Sequence, residues 1–154
     1  MKPSFSAKGP GLKGLQEKMK KLAGLEVRVG VFGGTAHAGS QLTNAELAAS
    51  HEFGAPRANI PERAHLRGTF DAKQADWQRL AGKLLKGVVA DRFTPEQALG
   101  LLGEKAVADM RAFVRAGVPP PLKPATIRRK GSSTPLIDTG RYLQSIGWSL
   151  SAKR

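Results

Sequence analysis

Residues 94–117 read TPEQALGLLGEKAVADMRAFVRAG and predict the strongest helix of the chain. Thr94 suits the N-cap, Pro95 suits the first helical position, and Gln97 stands three residues after the cap, as in a capping box. Apolar residues at helical spacing predict the buried face, namely Leu99, Leu102, Ala106, Met110, Phe113 and Val114. Gly117 ends the pattern.

Three helices are predicted upstream of this stretch. Apolar residues between Leu12 and Leu22 recur at three- and four-residue spacing, which predicts a short amphipathic helix ended by Gly24. Thr43 and Glu46 form a second capping-box pattern, and a helix from Asn44 to about Glu52 follows it. A long helix is predicted from about Ala72 to Asp91, with Asp71 as its N-cap.

Two segments near the ends of the chain have the two-residue period of strands. Leu25, Val27, Val29 and Val31 alternate with other residues, and the same period recurs at residues 146–150. Strands at both ends with helices between them predict an α+β fold, in which a small antiparallel sheet packs against two long amphipathic helices. The expected core residues are Trp77, Leu84, Leu102, Phe113, Val29 and Trp148.

Proline and glycine mark two irregular regions. Residues 1–11 contain two prolines, two glycines and two serines, and predict a flexible N-terminal arm. Residues 118–137 carry five of the ten prolines and predict an extended, stiff arm with one helical turn around residues 126–129. Residues 12–154, which include this Pro-rich segment, form the predicted single domain.

The charge of the chain is unevenly distributed. The formal net charge is +13 at pH 7, with +5 in residues 1–30, zero in 31–110 and +8 in 111–154. Cationic ends indicate a basic surface that meets an anionic partner, or a solvated surface that aids solubility. The absence of cysteine excludes disulfide scaffolds and thiolate metal sites. No apolar run approaches the ~20 residues that span a bilayer, so no membrane contact is expected.

One sequence pattern is shared with aspartic proteases. Asp138-Thr139-Gly140 matches their catalytic triplet, but such enzymes need two of these carboxylates on all-β lobes, and two strong helices contradict that fold. The simpler interpretation makes Asp138 or Thr139 the cap of a short helix that runs through Leu143.

Other candidate chemistry is weaker still. The histidines His37, His51 and His65 lack the spacing of metal ligands and are expected on the surface or at helix caps. Gly30, Gly33 and Gly34 follow a strand but lack the order of a phosphate-binding loop. We therefore expect no catalytic residue, no cofactor and no metal, and predict a protein that is not an enzyme.

Two blocks of the sequence resemble a known family. The first block contains His51-Glu52-Phe53-Gly54, Ile60-Pro61-Glu62-Arg63, Leu66-Arg67 and Thr69-Phe70. The second contains Pro120-Pro121-Leu122-Lys123-Pro124, Thr126-Ile127, Lys130-Gly131, Pro135-Leu136-Ile137-Asp138-Thr139-Gly140 and Ser145-Ile146. Together they are similar to the neck or tail-completion proteins of long-tailed double-stranded DNA bacteriophages. Tail-completion, or virion morphogenesis, proteins of contractile-tailed phages share a similar Leu-Ile-x-Thr-Gly ending. One position departs, since Ala64-His65 stands where relatives commonly have Pro-Phe.

The resemblance implies a structural virion protein. Such a protein would form a ring, expected to hold six copies, that joins tail to head at the neck after assembly in the bacterial cytoplasm. The implied partners are further copies of the chain, neighbouring tail-terminator or tail-tube proteins, and head-completion or connector proteins.

Composition and position suggest which residues would make these contacts. The expected intersubunit contact residues are Phe53, Arg63, Arg67, Pro121, Lys123, Arg128, Arg129 and Lys130. The residues expected to face packaged DNA, without sequence specificity, are Lys18, Lys20 and Lys21. The alternative function is a small basic DNA-binding protein, whose affinity would fall steeply with added salt.

Overall fold

The computed structural model describes residues 11–33, 42–131, 133, 135–136 and 141–153. The elements are α1 (Leu12–Ala23), β1 (Leu25–Val31), α2 (Asn44–Phe53), a 3₁₀ turn (Pro56–Ala58), α3 (His65–Val89), α4 (Pro95–Ala116), α5 (Pro124–Lys130), α6 (Arg141–Ser145) and β2 (Ile146–Ala152). The predicted α+β class is confirmed, with long helices beside a two-stranded antiparallel sheet. The predicted arm up to Pro10, His37, and the predicted caps Asp138 and Thr139 lie outside the described residues.

Helices α3 and α4 form a hairpin closed by a short turn. The predicted capping box is confirmed at the start of α4, where the Gln97 amide donates to Thr94 Oγ1 (3.2 Å) and the Thr94 amide donates to Gln97 Oε1 (2.8 Å). Along the hairpin, Trp77 Nε1 donates to Asp109 Oδ2 at 2.8 Å. Leu84 and its neighbours close the end near the turn. The second capping box, at the start of α2, is also confirmed.

The start of α3 differs from the prediction. The helix begins at His65 rather than Ala72, and Asp71 lies inside the helix instead of capping it. The N-cap position is held by Ala64, whose side chain cannot accept a hydrogen bond. A carboxylate from another element supplies the missing acceptor, and for that reason the local sequence did not reveal the true start.

The strands β1 and β2 form a ribbon that lies on α4. Their register places Val29 opposite Trp148 and Gly30 opposite Gly147. Trp148 packs over Gly103, where an added Cβ would come within 2.8 Å of the indole ring. The indole Nε1 donates to Glu104 Oε1 at 2.7 Å. A glycine on α4 therefore allows the close seating of the ribbon on this helix.

The core is centred slightly away from the predicted residues. Of the six predicted core residues, only Leu84 is buried, at 7% exposure, while the others are partly buried and pack against the core. The fully buried apolar side chains are Val114 and Ile146 in the main core and Val88 in the cluster near the α3–α4 turn. The large rings of Trp77 and Trp148 remain partly exposed because each turns its indole N–H toward an acidic side chain near the surface.

The Pro-rich segment is attached to the body of the molecule. Val118 and Leu136 are both buried in the main core. Between them, α5 is longer than the single predicted turn, because Pro124 occupies its first position and Gly131 ends it in a left-handed conformation. Residues 118–123 contain no helix or strand, and the Pro119–Pro120 peptide bond is cis.

Candidate functional site

The corner between α2 and α3 brings together three of the predicted contact residues. Phe53 ends α2, Arg67 lies in the first turn of α3, and Arg63 lies in the connection between them. Arg67 hydrogen-bonds the side chain of Glu52, which is 3% exposed. The corner is therefore the best-defined polar arrangement among the described residues.

Glu52 acts as the N-terminal cap of α3, although it belongs to α2. Its Oε2 accepts a hydrogen bond from the Leu66 amide and its Oε1 accepts one from the Arg67 amide, both at 2.9 Å. Arg67 Nε also donates to Oε1 at 3.0 Å. Burial acts to raise the pKa of the Glu52 carboxyl, but the hydrogen bonds from Arg67 and Leu66 outweigh it and hold the pKa below its ordinary value. A negative charge is well placed here because the helix N-terminus is positive.

His65 continues this network into the interior. Its ring is 1% exposed, so the expectation of a surface or capping histidine is wrong for this residue. Nδ1 lies 3.0 Å from the Arg63 carbonyl oxygen and 3.1 Å from Glu52 Oε2, while Nε2 faces the Tyr142 hydroxyl. A neutral imidazole protonated on Nδ1 satisfies all of these contacts, with the hydroxyl donating to Nε2. Burial lowers the pKa of His65, against the opposing effects of the Arg63 carbonyl and the Glu52 charge.

A carboxylate, an imidazole and a hydroxyl in series have the composition of an activated nucleophile. Here the hydroxyl belongs to Tyr142, which is buried, and burial together with the Glu52 charge raises the pKa of its phenol. Two clefts of the described residues lie elsewhere, one beside α1 and the α3–α4 turn and one between α1, α3 and α4. Neither is lined by Glu52, His65 or Tyr142. The series of Glu52, His65 and Tyr142 connects α2, α3 and α6 inside the molecule.

Arg63 links the corner to the Pro-rich segment. Its Nε donates to the Pro120 carbonyl oxygen at 3.0 Å, and the residue is 5% exposed. The two segments expected to make intersubunit contacts are thus neighbours within one chain. Arg63 is occupied inside the subunit, and this burial does not fit the intersubunit role expected of it.

The outer side of the corner carries exposed aromatic surface. Phe53 is 67% exposed, and the Arg67 guanidinium lies over its ring, 5.0 Å from the centroid. Phe70 is also exposed and lies one turn further along α3, where it meets Trp77 edge to face. Arg67 Nη2 donates to Glu62 Oε1 at 2.8 Å. We call Phe53, Glu62, Arg67 and Phe70 the Phe53 patch.

The remaining predicted contact residues lie in the Pro-rich segment. Pro121, Lys123 and Arg128 are exposed at residues 121–128. Arg129 and Lys130 lie in α5, with side chains outside the described part of the structure.

The lysines expected to face DNA lie on α1. Lys18 pairs with Asp91, and Lys21 Nζ lies 2.6 Å from Glu96 Oε1. These ion pairs tie α1 to the α3–α4 turn and reduce the free positive charge of the cluster. Lys20 is exposed.

Sequence reasoning missed the link between Glu52, His65 and Tyr142. His51 and Glu52 are adjacent in the sequence, but the partner of Glu52 is His65, and Tyr142 is 77 residues beyond His65 along the chain. The available signal was the spacing of Leu66, Phe70 and Trp77, which continues the apolar face of α3 toward its true start.

Within the described ranges, no three His, Asp or Glu side chains are placed to share a metal ion. No helix in these ranges has both the length and the apolar character needed to cross a bilayer.

No family model, curated protein or solved structure matches this chain.

Proposed function

We propose that this chain is a structural subunit of a tailed bacteriophage, a tail-completion or neck protein that forms a ring and joins tail to head. The resemblance of residues 51–70 and 120–146 to such proteins is the source of the proposal. The contacts within the chain support it, because these two blocks meet at the Arg63–Pro120 hydrogen bond and again at His65 and Tyr142. A ring of six copies and neighbours from head and tail belong to the same proposal.

The observation that carries the proposal is the Phe53 patch. Aromatic side chains and arginine are enriched where subunits contact one another. Phe53 is held at a corner whose interior is fixed by buried hydrogen bonds, so its ring is presented in a defined position. Within the patch, Glu62 balances the charge of Arg67, and the patch is therefore close to neutral on a strongly cationic chain. These properties favour contact with another protein subunit.

The proposal is tested by comparing Phe53→Ser with Leu101→Ser. Both side chains are exposed, but Leu101 lies on α4 away from the corner. Sedimentation of the purified chain should show self-association that Phe53→Ser weakens and Leu101→Ser preserves. In an infected host, loss of the gene should leave separate heads and tails, which the Phe53→Ser copy should fail to join. A parent chain that stays monomeric, or joined particles without the gene, would refute the proposal.

A DNA-binding function is the alternative, and the net charge of +13 favours it. The pairing of Lys18 and Lys21 with acidic residues argues against a dedicated DNA surface on α1. The two functions differ in their response to salt.

A further inference from the structure

The ribbon of β1 and β2 has backbone N–H and C=O groups that point outward from both of its edges. The Lys153 amide donates to the Gly24 carbonyl oxygen at 2.8 Å. These two residues lie directly opposite each other, just beyond the strands, and therefore form a hydrogen-bonded pair of the antiparallel ladder. Hydrogen-bonded pairs alternate with non-hydrogen-bonded pairs along an antiparallel ladder, and residues of the second kind direct their N–H and C=O groups outward. The outward-directed residues include Val27 and Val29 of β1 and Trp148 and Leu150 of β2. The two strands therefore have one outer edge each.

These edges are unpaired within the described part of the chain. The sheet there contains only β1 and β2. The one hydrogen bond found from a described residue to an outward group of β2 is that of Arg111 Nη2 to the Ile146 carbonyl oxygen, at 2.8 Å. The outward groups of Trp148 and Leu150 receive none from described residues.

The composition of the ribbon does not protect these edges. Proteins usually guard an exposed edge with lysine, proline or a bulge. β2 reads IGWSLSA, with no charged residue and no proline, and its pairing with β1 is regular over seven residues. β1 carries Glu26 and Arg28, which pair with each other. The ribbon is thus neutral on a chain of charge +13, so two copies can approach here with little repulsion.

The ribbon is also incompletely covered. Val27, Val29, Trp148 and Leu150 share the face toward α4, yet all four remain partly exposed. A sheet of two strands is only marginally stable without further strands or packing. Additional strands would extend the apolar face and satisfy the outward backbone groups.

We propose that the β2 edge of one copy pairs with the β1 edge of the next copy, so that the sheet continues from subunit to subunit. The occupant of each edge is a second copy of this chain. Pairing of β2 with β2 would join two copies and leave both β1 edges bare, whereas pairing of β2 with β1 uses every edge and repeats around a ring. This inference rests on the proposed self-association and names the element through which it occurs.

Disulfide cross-linking tests the pairing directly, because the chain has no cysteine. One copy carries Glu26→Cys or Arg28→Cys, and a second copy with a different tag carries Ser149→Cys or Ser151→Cys. All four positions lie on the polar face of the ribbon. Their combinations test three alignments of β1 of one copy against β2 of the other, and in each alignment the polar faces of the two ribbons lie on the same side of the joined sheet. Neighbouring strands are close enough for a disulfide, since they lie about 4.8 Å apart. A copy with Ala112→Cys, exposed on α4, is the control.

The expected result is a mixed cross-link between the two tags that the Ala112→Cys control does not form. Circular dichroism checks each variant, and one that departs from the parent is replaced by the other position on its strand. Sedimentation of the parent separates the two proposals. A monomeric parent overturns both, while a self-associating parent with no mixed cross-link, or with cross-links only between two Ser149→Cys copies, overturns the edge pairing alone.

Discussion

Glu52 shows how one side chain can determine where a helix begins. The first amides of a helix have no partners within it and need an acceptor. Ala64 cannot provide one, and the Glu52 carboxylate accepts from two amides and from the Arg67 guanidinium. The charge is buried at low cost because each oxygen is hydrogen-bonded. Stability at the corner therefore depends on a charged acceptor with two oxygens.

Glu52→Gln should destabilise the protein by about 1–3 kcal/mol. The amide has one acceptor oxygen instead of two and no negative charge to meet the helix N-terminus. Urea denaturation measures the loss in the free energy of unfolding. Glu17→Gln, at an exposed position on α1, is the control and should change this free energy by less than about 0.5 kcal/mol. Equal effects of the two substitutions would contradict the capping role.

The pH dependence of stability should reflect His65. Its pKa is lowered in the folded protein by burial, from an ordinary value of 6.5, so the unfolded chain binds the proton more readily. The contribution of His65 to the free energy of unfolding should therefore have its full value above pH 6.5 and decrease as the pH falls below 6.5. The lowered pKa of Glu52 adds a further decrease below its ordinary value of 4.5.

Urea denaturation at a series of pH values checks this prediction. His65→Phe should flatten the decrease that begins near pH 6.5. The same variant should lose about 1–3 kcal/mol at pH 7.5, because the Tyr142 hydroxyl is left buried without its partner. An unchanged pH profile in the variant would show that His65 is not the responsible group.

At the scale of elements, local signals were sufficient where each element carries its own start, stop and period. Thr94 with Gln97, and the alternation in residues 25–31, are such signals, and the structure agrees with them. The start of α3 carries no local capping signal, because its cap comes from α2 and the Ala64 side chain cannot accept a hydrogen bond. The corner between α2 and α3 follows the same rule, since only its local features could be predicted from the sequence. Phe53 and Arg67 were named as contact residues, but nothing local links His65 to Tyr142.

Two glycine substitutions should have opposite effects on these helices. Gly82→Ala on α3 meets nothing within 4 Å and should stabilise the protein by about 0.5–1 kcal/mol, because alanine restricts the unfolded chain. Gly103→Ala on α4 places a Cβ 2.8 Å from the Trp148 ring and should cost about 1–3 kcal/mol through overpacking. Thermal and urea unfolding measure both. A stabilising Gly103→Ala would mean that the ribbon is not seated closely on α4.

At the scale of the whole molecule, charge opposes association. Each copy carries +13, and the excess lies toward the two ends of the sequence. Copies that assemble bring these charges together, and repulsion must be overcome by contact at neutral surfaces such as the Phe53 patch and the ribbon. Dissolved salt screens that repulsion over a Debye length of about 10 Å at 0.1 M.

Self-association should therefore strengthen when NaCl is raised from about 0.05 M to about 0.5 M. Binding to a DNA duplex of arbitrary sequence should weaken steeply over the same range, because counterions compete for the phosphates. Sedimentation equilibrium and fluorescence anisotropy measure the two trends on the same preparation. A chain that does not self-associate into larger assemblies at either salt concentration, but binds the duplex tightly at about 0.05 M and loses that affinity steeply toward about 0.5 M, would favour the DNA-binding alternative.

The cap that Glu52 provides from outside α3 also affects the order of events during folding. The opening turns of α3 take their cap from α2, so their amides should gain protection from hydrogen exchange together with those of α2. Phe53 and Arg67 belong to the same corner and should reach their final positions with it. A nascent copy in which α2 has not docked would lack the proposed contact surface, so that docking of α2 would control whether a monomer can enter the proposed assembly.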